Sequence, residues 1–177
     1  PGSSSQLLAA ALADETGRPL ATPTYDRFPD GETLAAVPDF DGDEATIVAT
    51  TDSDEAWVEL LQLQDAVREA SAERVTTVIP YMGYARQDDS FGQGEPVSAR
   101  AMARAISTGT DRVVLVNPHE AGVTDFFGVP VEAVDALLEF VGLGCLTHEQ
   151  PKAIVDLHVD SKPAIDAGVI LLEVGRR

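Results

Sequence analysis

Val75-Thr76-Thr77-Val78-Ile79-Pro80-Tyr81-Met82 is apolar or β-branched almost throughout, and Gly83-Tyr84-Ala85-Arg86-Gln87-Asp88 follows it at once. A strand that does not alternate with polar residues has no solvent face, so it reads as buried on both sides. Working outward, Ala45 to Thr50 and Arg112 to Val116 repeat the pattern, and Val129 to Ala133 is a fourth candidate strand before a short helix to Phe140. Between them, Glu55 to Ala70 carries Trp57, Leu60, Leu61, Gln64 and Val67 at helical spacing. Pro96 to Ser107 reads as a helix with proline near its first turn. Ser3 to Thr16 reads as a capped helix with Leu7, Leu8 and Ala11 on one face and Gly17 at its end. Tyr25 to Val37 reads as a hairpin turning at Asp30-Gly31. Apolar strands separated by amphipathic helices predict an α/β fold, a parallel sheet with helices on both faces. After Phe140 the pattern loses definition. Lys152 to Val159 and Gly168 to Val174 have strand character, but their connection is too short for a full α/β unit. The expected division is a first domain over 1–140 and an incomplete second domain over 141–177.

Charge is the strongest compositional signal. Thirty acidic residues oppose 12 basic ones, a net charge of −18 over 177 residues. Apart from Lys152 and Lys162 the basic residues are arginines, and the acids are scattered rather than gathered in a tail. Dispersed carboxylates stay hydrated in concentrated salt, which screens their repulsion, so the surface reads as adapted to high salt. No basic stripe is present to neutralise phosphates along a strand, which argues against a nucleic-acid partner. No run approaches the roughly 18 apolar residues of a membrane span. Cys145 is the single cysteine, so neither an intrachain disulfide nor a thiolate cluster is available, as expected of a cytoplasmic protein. The missing initiator Met and the compressed end create the expectation that segments of a longer chain are absent from this sequence.

Ligands of open parallel sheets bind beyond the carboxyl ends of the strands. There the sequence places Asp52 and Ser53, then Tyr84, Arg86, Gln87 and Asp88, then Asn117, His119 and Glu120. The planar fork of Arg86 suits phosphate oxygens or stacking on a base, and Gln87 both donates and accepts. Arginine together with acids points to a phosphorylated ligand carrying a divalent cation such as Mg²⁺, which takes oxygen ligands and needs few from the protein. His119 is placed to add a nitrogen ligand or a hydrogen bond to phosphate. The Arg-Gln-Asp loop alone reads equally as a solvated turn and His119 alone more readily as a structural residue, and on the residues taken together a nucleotide site and a set of solvated loops remain equal alternatives. Gly109 lacks the Gly-Lys-Ser/Thr of a phosphate-binding P-loop, and Gly92-Gln93-Gly94 lacks the third glycine of a dinucleotide fingerprint.

Several stretches, in order and compatibly spaced over residues 1 to about 130, resemble the ribose-phosphate pyrophosphokinase family. Arg27-Phe28-Pro29-Asp30-Gly31-Glu32 is similar to that family's adenine-contacting hairpin, and Pro80 to Asp88 to its ATP-binding strand end. Gly94 to Arg100 resembles the following helix start, Asn117-Pro118-His119-Glu120 its Asp-Leu-His-Ala motif, and Phe126-Phe127 the aromatic pair after it. The opening Gly2 to Ala9 resembles its first helix. The resemblance implies a fold of the type I phosphoribosyltransferase kind. It implies transfer of the β,γ-diphosphoryl group of ATP to ribose 5-phosphate, with Mg²⁺, giving phosphoribosyl pyrophosphate and AMP. By position, Phe28 stacks on adenine, Asp30 and Glu32 read its edge, Arg86, Gln87 and Asp88 hold the nucleotide, and His119 is the catalytic and metal-contacting residue. It further implies a homo-oligomer in which hairpin 27–37 reaches a neighbouring subunit. Asn117 and Pro118 depart from the family's Asp-Leu. The family's catalytic loop, with its Lys and Arg, and its Thr-Gly-Gly-rich ribose-phosphate turn have no match here. Val155-Asp156-Leu157-His158 lies too late to be the Asp-Leu-His motif. Those absences motivate an alternative, a non-catalytic nucleotide-binding member that associates with an active synthetase. A phosphoribosyltransferase ranks last, because it has no need of the Arg27–Glu32 hairpin.

Overall fold

A computed structural model describes residues 1–134. Residues 1–6 and 21–134 form one compact unit, and residues 7–20 group outside it. In chain order the elements are the 3-10 turn η1 (Ser3–Ser5), α1 (Gln6–Thr16), β1 (Thr24–Arg27), β2 (Thr33–Ala36) and β3 (Glu44–Val48). Then come α2 (Asp54–Glu69), β4 (Arg74–Ile79), α3 (Ser98–Ser107), β5 (Arg112–Val116), the 3-10 turn η2 (Ala121–Phe126) and β6 (Val131–Val134).

β3, β4, β5 and β6 pair in sequence order, all parallel. The crossovers run through α2 and α3, and successive right-handed crossovers in one direction put both helices on the same face, where they pack together. Ile47, Val75, Ile79, Val113 and Leu115 are buried on that face. Val48, Val78 and Val114, on the opposite face by strand alternation, are buried as well. Burial of both faces is what the continuous apolar runs required, and the parallel α/β architecture is as expected. The predicted strand 129–133 appears as Val131–Val134. The predicted helix to Phe140, the strand candidates 152–159 and 168–174, and Cys145 lie outside the described residues.

Sequence chemistry accounts for the start of α2 and the end of α1, whereas Val97 before α3 makes no side-chain cap. At the start of α2, Ser53 Oγ accepts the Ala56 N–H at 3.2 Å, with Asp54 and Glu55 in the first turn and Arg68 in the last. Its buried stripe is Trp57, Leu60, Leu63, Gln64 and Val67. Leu63 thus takes the inward place expected of Leu61, which is only half-buried. In α1 the expected apolar face is also corrected. Leu7 is 90% exposed and Ala11 is exposed, while Ala9 and Leu12 are buried. Seven consecutive apolar residues from Leu7 to Ala13 leave the choice of face to the surroundings rather than to periodicity. Gly17 does end the helix, at φ +65°.

Gln64 is a buried polar residue inside this core. Its Nε2 donates to Thr77 Oγ1 at 3.0 Å and to the Ile106 carbonyl at 3.2 Å, and Thr77 Oγ1 donates to Thr110 Oγ1 at 3.0 Å. Thr110 in turn donates to the Val75 carbonyl at 2.8 Å. The chain of bonds joins α2, β4 and α3, and it satisfies polar groups whose burial otherwise costs about 1–3 kcal/mol each.

Asp111 closes the opposite end of the sheet. Its Oδ2 accepts the Val75 N–H and an Arg68 N–H, each at 2.7 Å. Desolvation pushes its carboxyl pKa up, but the Val75 and Arg68 hydrogen bonds, with the charges of Arg68 and Arg74, outweigh this and hold it below the ordinary value. A carboxyl depressed in the folded state adds stability that is complete above its unfolded pKa of about 3.9 and is lost as pH falls through the folded value. The side chain is 52% exposed, so the effect is discounted for solvent. Asp111→Asn is expected to lose about 1 kcal/mol at pH 7, with the gap to wild type closing in denaturant melts taken below pH 4.

Candidate functional site

Three loops leave the carboxyl edge of adjacent strands. The first begins at Thr51, which is fully buried and extends the β3–β4 pairing by a bridge to Met82. Thr51 N–H donates to the Tyr81 carbonyl at 3.0 Å, and Gly83 N–H donates to the Thr51 carbonyl at 3.1 Å. A β-carbon on Gly83 would sit 2.2 Å from the Thr51 oxygen, so only glycine fits where the two loops cross. Asp52, Ser53 and Asp54 then emerge exposed at the start of α2.

The second loop follows that crossing. Tyr84 has φ +61°, its ring lies 6.4 Å from that of buried Trp57, and its hydroxyl donates to Asp54 Oδ1. The bond to Asp54, joined by that carboxylate's charge, raises the Tyr84 phenol pKa. A left-handed tyrosine is uncommon and persists where surrounding contacts over-determine it. Beyond it, Gln87 N–H donates to the Tyr84 carbonyl at 3.1 Å, the Gln87 carbonyl accepts from Ala99 N–H at 3.1 Å, and Ser98 Oγ donates to Gln87 Oε1. Gln87 is therefore clamped onto the start of α3, and its side-chain NH₂ has no partner among the described residues. Arg86, between these fixed points, is exposed, with no ion pair or hydrogen bond among the described residues. Asp88 is half-buried.

The third loop turns at Asn117, whose φ is +47° and whose N–H donates to the Val134 carbonyl at 2.8 Å. Asparagine tolerates that conformation better than most residues. His119 and Glu120 follow, both exposed. Parallel pairing of β4 with β5 puts Arg86, Gln87, Asp88 and His119 at one edge. No three His, Cys, Asp or Glu side chains among the described residues gather into a metal-holding group.

The hairpin candidates stand on a separate two-stranded sheet, β1 against β2, whose β2 packs on α2. Five residues, 28–32, cross its tip, with Gly31 at φ +95°. Phe28 is 47% exposed, Glu32 is exposed, and Asp30 Oδ1 accepts the Glu32 N–H at 3.4 Å. Arg27 beside the tip pairs with Glu55 in the first turn of α2, which puts the tip at the carboxyl-edge end of the sheet. Sequence reasoning missed Gly83, Trp57 and Asp54 as supports of the second loop. A glycine directly after a buried strand was the available signal for Gly83; the Tyr84–Asp54 pair, 30 residues apart, left none.

Fold and loops together define an α/β protein whose polar loops leave the carboxyl edge of a parallel sheet, the edge where ligands of such sheets commonly bind. The family model for the N-terminal domain of ribose phosphate pyrophosphokinase matches residues 1–109, and the chain belongs to that family, with a fold of the type I phosphoribosyltransferase kind. A ribose-phosphate pyrophosphokinase of Halobacterium salinarum is 64% identical over 136 residues, covering 76% of this chain and 48% of the relative. One of Methanosarcina mazei is 46% identical, covering 76% of this chain and 45% of the relative. The crystal structure of phosphoribosylpyrophosphate synthetase from Mycobacterium smegmatis superposes with a TM-score of 0.69 at 29% identity, covering 77% of this chain and 47% of that one. The chain thus spans about half the length of the curated relatives it matches. The acidic composition, read as adaptation to high salt, fits the likeness to the Halobacterium relative. No helix among the described residues is long and apolar enough to cross a membrane.

Proposed function

We propose that this chain supplies the ATP-binding part of a cytoplasmic enzyme that transfers the diphosphoryl group of ATP to ribose 5-phosphate, yielding phosphoribosyl pyrophosphate and AMP. The observation that carries the reading is an exposed Arg86, without an ion pair or hydrogen bond among the described residues, between two clamped residues at the carboxyl edge of the sheet. A cation held ready in a fixed loop suits a polyphosphate. Arg86 would meet phosphate oxygens, the side-chain NH₂ of Gln87 would donate to the nucleotide, and Asp88 would complete that wall. Phe28 would stack on adenine while Asp30 and Glu32 accept from its edge, with hairpin 27–37 reaching a neighbouring subunit of a homo-oligomer. Residues 1–140 make the nucleotide domain in this reading, and 141–177 belong to a second, phosphoribosyltransferase-like domain.

Mg²⁺ fits as an ion carried on the phosphates, because the described residues offer single donors at the edge rather than a protein cage. His119 would be its protein contact, directly or through a phosphate oxygen. Bound there, the ion would neutralise charge that develops on the transferred group. Diphosphoryl transfer asks mainly for in-line positioning and charge neutralisation, which loops fixed at strand ends can supply.

The test is AMP release from ATP with ribose 5-phosphate and Mg²⁺, measured on the intact protein in molar KCl. Release that depends on both substrates is the expected result. Nucleotide binding without turnover in molar salt would overturn it.

A further inference from the structure

Gln62 lies on α2, outside every loop of the candidate site, yet it is tied to the backbone of the hairpin. Its Oε1 accepts the Ala35 N–H at 2.7 Å, and its Nε2 donates to the Thr33 carbonyl at 3.0 Å. The Phe28 N–H to Glu32 carbonyl bond sets the alternation of the β1–β2 ladder. By that alternation the polar groups of Thr33 and Ala35 face away from β1. A carbonyl and an N–H two residues apart are what a third strand would bind, and a primary amide offers one acceptor and two donors. Gln62 therefore stands in for the peptide group of a missing third strand and satisfies the open edge of β2.

The remaining ties are weaker where it matters. Apolar anchorage lies at the base of the hairpin, in Tyr25, Ala35 and Val37, whereas Leu34 and Phe28 toward the tip are exposed. Among the described residues the other tie near the tip is the Arg27–Glu55 pair, with side chains 55% and 46% exposed. Exposed ion pairs fade in salt, where the screening length falls to about 3 Å at 1 M, while a bond from a neutral amide does not.

We propose that Gln62 is a positioning residue, the mount that fixes the hairpin and thereby sets the affinity for the nucleotide base. This rests on the functional reading above, in which the hairpin tip contacts adenine. Gln62→Met keeps the length and apolar bulk and removes both bonds. In the intact enzyme it is expected to speed amide exchange at Ala35 and to raise KM for ATP about tenfold, the size of losing one such bond or a little more. KM for ribose 5-phosphate and kcat at saturating ATP stay as in wild type. The effect persists in molar KCl, whereas that of Glu55→Gln shrinks as salt rises. A merely stabilising role would lower the melting temperature and leave the two KM values in their wild-type ratio, which would overturn the proposal. Unchanged exchange at Ala35 would overturn the mount itself. A wild-type protein without ATP turnover is a failure of the functional reading, and the exchange arm then decides the mount alone.

Discussion

Gly83→Ala is expected to cost the fold about 3 kcal/mol or more and to lower the melting temperature by roughly 10 °C. The added methyl would lie 2.2 Å from the Thr51 carbonyl oxygen and 3.3 Å from Trp57 Nε1. Neither neighbour can yield cheaply. Thr51 is fully buried and bonded through its N–H and its hydroxyl to the Tyr81 carbonyl, and it accepts the Gly83 N–H through both its oxygens. Trp57 is packed in the core, and its indole nitrogen is a buried donor without a partner among the described residues. Relief must therefore come from parting the β3 and β4 extensions, at about 1 kcal/mol for each bond lost beyond the steric cost. The loop carrying Tyr84 to Gln87 starts at that crossing, so ATP affinity is expected to fall with stability. Gly122→Ala is the control, since its methyl would meet open space. Thermal melts of the two variants decide the matter. Equal melting temperatures would show that the crossing is looser than described.

Arg86→Ala is expected to weaken ATP binding by about 1.5–3 kcal/mol, roughly 10- to 150-fold, with little change in stability. Arg86 is exposed and makes no bond within the described residues, so its removal leaves no buried group stranded. In the proposed reading its partner is the nucleotide. Arg86→Lys is expected to recover only part of the loss, because an ammonium keeps the charge but not the planar fork. Titration calorimetry with ATP and Mg²⁺ reads both variants. Unaltered affinity in Arg86→Ala would remove this edge as the nucleotide site.

Much of this was legible before any coordinates. The strands at 45, 75 and 112 were visible because a parallel strand covered on both faces must be apolar at odd and even positions alike, and Val75, Thr77, Val78 and Ile79 are indeed all buried. The hairpin was visible through Asp30-Gly31, since a tight turn needs a residue free to take φ +95°. The inward face of α1 was not visible, because Leu7 to Ala11 offers an apolar residue in every direction. Leu63 was missed for a related reason: with Leu60 and Leu61 beside it, helical spacing alone does not choose which leucine turns inward.

The sequence by itself determined the main elements, the parallel sense of the central strands and the polar loops at one edge, because these follow from local periodicity and from the rule that parallel strands present their carboxyl ends together. It also determined the family, through short motifs in fixed order. Tertiary structure alone decided what supports those loops. That Gly83 crosses Thr51, that Tyr84 is pinned to Asp54, and that Gln62 completes the edge of a hairpin some 30 residues away all depend on side chains far apart in the chain. Such pairings leave no period and no spacing, because a hydrogen bond needs only that two groups meet in space.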